Sequence, residues 1–145
     1  MKTVLITGST SGIGLGIARE FAKTKHYNIV FNGLEPNGPE IAEGIGKEFG
    51  IEVMFSNANM LKPEELRKMA DDAVAKFGKI DVLINNAGIQ FVSPVEDFPE
   101  EKWNAIIGIN LTSAFHLTKA VWKGMKERKF GRIINIASAH GLVAS

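Results

Sequence analysis

The sequence predicts a doubly wound α/β fold, a parallel sheet covered by helices on both faces, and three observations carry that expectation. Five short apolar segments alternate with stretches whose apolar residues recur every three or four positions, as buried parallel strands and their crossover helices do. A glycine- and serine-rich turn, Gly8 to Gly14, joins the first strand to the first helix. Right-handed crossovers then favour the Rossmann-like order 3-2-1-4-5, with the ligand crevice where the order reverses.

Each element has its own signal. Val4, Leu5 and Ile6 form the first strand, and Ile13, Ile17 and Phe21 mark the helix after the glycine turn. The second strand is expected over Asn28 to Asn32. Pro39 opens a helix carrying Ile41, Ala42, Ile45 and Phe49, because proline's fixed φ and missing N–H suit a first turn. Glu52 to Phe55 is the third strand; Leu66, Met69, Ala70, Val74 and Phe77 follow Pro63 at helical spacing. Asp81 to Ile84 is the fourth. A short helix runs from Pro99 through Trp103 and Ile107, a longer one from about Leu111 to Lys129, and Arg132 to Ile136 is the fifth strand. No linker or repeat divides residues 1–145, so one domain is expected, incomplete at its C-terminus because the sheet stops at the fifth strand.

Composition narrows the function. The 145 residues carry 17 Lys and Arg against 16 Asp and Glu, a formal charge of +1, which argues against a nucleic-acid binder. The basic run from Lys123 to Lys129 reads as the wet face of a helix. With no cysteine, a disulfide scaffold is impossible. No histidine pair has metal-ligand spacing, so no metal is expected. The opening MKTVLITG reads as a strand rather than a signal peptide, and no apolar run reaches the roughly 18 residues that span a bilayer, so a cytoplasmic protein away from membranes is expected.

The glycine turn reads Thr7-Gly8-Ser9-Thr10-Ser11-Gly12-Ile13-Gly14. Glycines between a strand and a helix allow unusual backbone angles and close approach, while the helix N-terminus attracts phosphate. A dinucleotide site is the expected use, against a mere tight turn. Leu15 follows Gly14 where a nucleotide triphosphatase would carry Lys and Ser or Thr.

Four motifs in order now resemble the short-chain dehydrogenases/reductases: the TGxxxGxG pattern of Thr7 to Gly14, Asn85-Asn86-Ala87-Gly88, Asn110 and Ser138. Within that family, Asn85 to Gln90, Glu96 to Pro99 and Ile133 to Ser145 resemble the bacterial D-3-hydroxybutyrate dehydrogenases. The resemblance implies an NAD-dependent oxidoreductase interconverting D-3-hydroxybutyrate and acetoacetate. It implies Ser138 and Asn110 as catalytic, Ser138 by hydrogen bonding the C3 oxygen and Asn110 by distorting the helix and holding a water through its main-chain carbonyl. Gln90 and His140 would take the substrate carboxylate. Thr7, Gly8, Ser11, Gly12, Ile13, Gly14, Leu34, Asn59, Asn86, Ala87 and Gly88 would bind the cofactor. Asn59 departs from the family's usual Asp at the adenine. NAD is expected over NADP because Asn32-Gly33-Leu34-Glu35 offers a carboxylate and no base, and the glycine loop has Ser11 rather than Lys or Arg.

Without the resemblance, Ser138 is a loop serine, His140 a surface imidazole and Asn110 a cap or wet-face residue, and those readings stay open. The family's chemistry also needs a Tyr and a Lys from the helix after the fifth strand. The one tyrosine, Tyr27, precedes the second strand. The 145 residues alone are therefore expected to be inactive. They could be one part of a split enzyme joined by a separate C-terminal fragment, or an inactive NAD-binding or interaction module. A dehydrogenase for another small alcohol or keto acid is a further alternative. Full-length relatives are expected to be homo-oligomers.

Overall fold

The structure, a computed structural model, describes residues 1–144; Ser145, last of the stretch compared above, lies outside them. β1 (Lys2–Ile6), β2 (Tyr27–Asn32), β3 (Val53–Ser56), β4 (Val82–Asn85) and β5 (Arg132–Asn135) form one parallel sheet in the order β3-β2-β1-β4-β5. That is the order expected from the sequence.

The period-two alternation of side chains sorts the strands into two apolar layers. Leu5, Val30 and Leu83 face one way and pack on Leu66, Met69 and Ala73 of α3 (Pro63–Phe77) and on Leu117, Val121 and Met125 of α5 (Ser113–Arg128). Val4, Ile6, Ile29, Phe31, Val82 and Ile84 face the other way. They meet Ala18 and Ala22 of α1 (Gly12–Thr24) and Ala42 and Ile45 of α2 (Gly38–Phe49). Small residues on α1 let that helix lie close to the sheet.

The expected strand ends differ slightly from the observed ones. Asp81 lies just before β4, yet its buried carboxylate accepts the Thr3 N–H at 2.8 Å and so ties β1 to the start of β4. Ile136 lies just past β5, and its N–H still donates to Asn85 O at 3.0 Å.

A larger difference concerns the long helix. Instead of beginning near Leu111, it is continuous with α4 (Glu100–Ile107) through a π-helical turn, Gly108–Thr112, and α5 starts at Ser113. The Ser113 N–H reaches back five residues to Gly108 O. One extra residue is thereby accommodated without breaking the helix, a distortion often found at functional sites.

β5 is one edge of the sheet, and Ile134 and Ile136 are more than two-fifths exposed. Phe115 and Trp122 of α5 are likewise exposed. No helix among the described residues is long and apolar enough to cross a membrane.

A candidate dinucleotide site at the carboxyl ends of the strands

All five strands run the same way, so their carboxyl ends share one rim, and the order reverses between β1 and β4. A crevice of about 430 Å³ opens there. Its walls include Gly8, Ser11, Gly12 and Ile13 of the glycine turn, Leu34 and Glu35 after β2, Asn59 after β3, and Asn86, Ala87 and Gly88 after β4. Nine of the eleven residues expected at a cofactor thus line one cavity. The other two, Thr7 and Gly14, stand behind its wall.

Thr7 is buried, and its hydroxyl oxygen accepts the N–H groups of Asn86 and Ala87, each at 2.9 Å. The Asn86 amide in turn donates to the carbonyls of Thr7 and Gly8 at 3.1 and 3.2 Å. These four bonds fix the two facing walls relative to each other. Gly8 and Gly12 have φ of 60° and 54°, left-handed angles that a side chain resists. Gly14 is needed for a different reason: a Cβ there would lie inside contact distance of the Gly8 carbonyl and 2.6 Å from the Asn86 amide nitrogen.

The turn feeds α1 so that its N-terminus faces the crevice. Ser11, the N-cap, makes no side-chain capping bond to the first-turn N–H groups of α1. Those donors and the positive end of the helix suit an anion. Space fits as well, since a Cβ on Gly12 would meet nothing within 4 Å. Ile13, apolar in the helical pattern, is 71% exposed because it turns to the crevice rather than to the core.

Two buried polar residues that sequence reasoning did not single out set this geometry. Asn32 Oδ1 accepts the Gly8 N–H at 3.0 Å, while its Nδ2 donates to Ser56 O at 3.2 Å and Ala58 O at 3.1 Å. Ser9 donates to Ile6 O at 2.7 Å and accepts the Asn32 N–H at 3.0 Å. Only the position of Asn32 at a strand's carboxyl end hinted at such a role.

At the far end of the crevice, the Thr10 hydroxyl donates to Glu35 Oε2. That bond, and then the Glu35 backbone N–H, hold the Glu35 carboxyl below the usual carboxylate range, with burial opposing them and Ser11 and Leu34 adding smaller help. Asn59, which lines the crevice, accepts the Leu61 N–H on Oδ1 at 2.9 Å, and that oxygen has a second lone pair.

The crevice lining ends at Ile89 and Ile109. Asn110 lies within the π-helical turn, its side chain paired with the Ile89 backbone: Oδ1 accepts the N–H at 2.9 Å and Nδ2 donates to the carbonyl at 2.8 Å. This clamp sets the chain just past Gly88. Gln90, Ser138 and His140 are exposed and lie beyond the crevice, on the loops that follow β4 and β5. Ser138 caps the short turn Ala139–Gly141, its Oγ accepting the His140 N–H at 3.1 Å. The Asn85 amide donates to Asn135 Oδ1 at 2.9 Å and ties together the strands that carry these loops. The described residues hold no group of three metal-ligating side chains.

A glycine turn aimed at the switch point of a doubly wound sheet, with unmet helix donors beside it, defines a dinucleotide-binding α/β domain. Residues 2–145 match the profile of the short chain dehydrogenases, and the chain belongs to that family, whose fold binds NAD(P). It is 53% identical to a D-beta-hydroxybutyrate dehydrogenase of Cupriavidus necator and 49% identical to one of Rhizobium meliloti, over 99% of its own length in both. It is also 37% identical to a 5-keto-D-gluconate 5-reductase of Escherichia coli. An alcohol dehydrogenase of Thermococcus sibiricus, solved with 5-hydroxy-NADP, superposes on 92% of this chain and 57% of its own at a TM-score of 0.86 and 28% identity. The chain spans 55% and 56% of the two hydroxybutyrate dehydrogenases.

Proposed function

We propose that this chain is the cofactor-binding part of an NAD-linked oxidoreductase interconverting D-3-hydroxybutyrate, or a small hydroxy acid of similar shape, with its keto acid. The crevice carries the reading, because it joins an anion-seeking helix end to an ionised Glu35 on one side and to Asn86, Ala87 and Gly88 on the other. NAD, when bound, supplies the hydride acceptor. The Gly12 and Ile13 amides hold the pyrophosphate. Glu35 receives the ribose hydroxyls and repels a 2′-phosphate, with Leu34 and Asn59 beside the adenine.

Substrate handling falls to the loops beyond the crevice. Ser138 Oγ accepts the His140 N–H, so its own hydrogen is available to the substrate's C3 oxygen. The Gln90 and His140 side chains take the carboxylate. Asn110 steadies Ile89 and, through the π-helical turn, offers a main-chain carbonyl to a water. The resemblance gives the hydroxyl proton to a tyrosine, and among the described residues the one tyrosine, Tyr27, opens β2 at the opposite end of the sheet from Ser138. That step falls to a segment outside these 145 residues.

Titrating the chain with NADH and with NADPH, followed by nicotinamide fluorescence, tests the cofactor assignment. Saturable NADH binding is expected, at least about tenfold tighter than NADPH because of charge repulsion at Glu35. NADPH binding as tightly as NADH would contradict it.

A further inference from the structure

Glu35 is a long, partly exposed side chain on a loop, and such a side chain loses rotamer freedom only when something holds it. We infer that Thr10 is the positioning residue that holds Glu35 at the crevice and thereby sets the discrimination between NAD and NADP, an assignment that rests on the cofactor reading above. Thr10 belongs to the glycine turn and is only 2% exposed, whereas Glu35 lies 25 residues later, after β2. Their bond joins two walls of the cavity. Gly33 makes the meeting possible, since a Cβ there would collide with the Thr10 hydroxyl and approach Glu35 Oε2 to 2.5 Å.

The chemistry gives the contact a direction. A threonine hydroxyl donating to a carboxylate favours the charged form, and charge-assisted bonds are about twice as strong as neutral ones. The carboxylate keeps further lone pairs for a second donor, such as a ribose hydroxyl. A 2′-phosphate brings no donor and two negative charges. Without the Thr10 hydroxyl, its largest anchor, Glu35 keeps only the weaker contacts to its own N–H, Ser11 and Leu34 and swings more readily into water, where its repulsion is screened.

The test compares the ratio of NADPH to NADH dissociation constants in the full chain and in Thr10→Val, Thr10→Ser, Glu35→Gln and the double variant Thr10→Val/Glu35→Gln. Valine keeps threonine's shape without the hydroxyl, and Thr10→Ala serves as a second variant should Thr10→Val not fold. Thr10→Val should lower the ratio about tenfold, toward the Glu35→Gln value. Thr10→Ser should restore it, and the double variant should match Glu35→Gln alone, a non-additivity that general loosening would not produce. A Thr10→Val ratio equal to the parent's, beside a reduced ratio in Glu35→Gln, overturns this assignment alone. Failure of the parent to bind either dinucleotide overturns the cofactor reading and this assignment with it.

Discussion

Gly14→Ala is expected to weaken NADH binding at least about tenfold, equivalent to ~1.4 kcal/mol, while Gly16→Ala leaves it unchanged. The two positions lie on the same helix and the substitution is the same. Their surroundings differ. At Gly14 the new methyl meets the Gly8 carbonyl and the Asn86 amide, which are backbone and a doubly bonded side chain, so neither can move aside. Overpacking of that kind costs about 1–3 kcal/mol and pushes α1 away from the turn whose amides face the crevice. At Gly16 nothing lies within 4 Å, so alanine should stabilise the helix by roughly 0.5–1 kcal/mol. Thermal melts beside the NADH titrations check both. Equal NADH affinity in two folded variants would remove Gly14 from the support of the wall.

The second large effect concerns turnover. The 145-residue chain alone should produce no NADH from D-3-hydroxybutyrate. Mixing it with the portion of the Cupriavidus necator relative that it does not match should restore production. General acid–base catalysis contributes roughly 10²- to 10⁴-fold, and positioning by the remaining substrate wall contributes more. Ser138→Ala should then cut the restored rate about 10²- to 10³-fold, the usual loss for one donor aimed at a reacting oxygen. Substantial turnover by the chain alone would contradict the need for an outside base. Restored turnover indifferent to Ser138→Ala would leave the split arrangement and remove Ser138 from the chemistry.

Much of the fold was legible because its signals are periodic. Val4-Leu5-Ile6 and Ile29-Val30-Phe31 read as strands buried on both faces, and the two apolar layers bear that out. Gly8, Ser11 and Gly12 were legible as punctuation between a strand and a helix. What stayed hidden depends on where a polar side chain points. Asn32 and Ser9 look like ordinary strand-end and turn residues, yet both are buried and knot the turn to β2. The Thr10 to Glu35 bond crosses from one loop to another, and no spacing rule encodes it. The family resemblance pointed to a distorted helix at Asn110, but helical periodicity alone did not show the π-helical turn Gly108–Thr112, since one inserted residue only shifts the helical phase. Ile13 shows the opposite difficulty: an apolar residue in helical register serves the crevice rather than the core.

The central claim is that the crevice at the β1–β4 switch point holds the dinucleotide, and amide hydrogen exchange with and without saturating NADH tests it most directly. Slower exchange is predicted at Gly12, Ile13, Leu34 and Asn86 to Gly88, with Lys126 to Phe130, at the far end of α5, unchanged. Protection confined to the exposed α5 and β5 face, or no protection at saturating NADH, would contradict it.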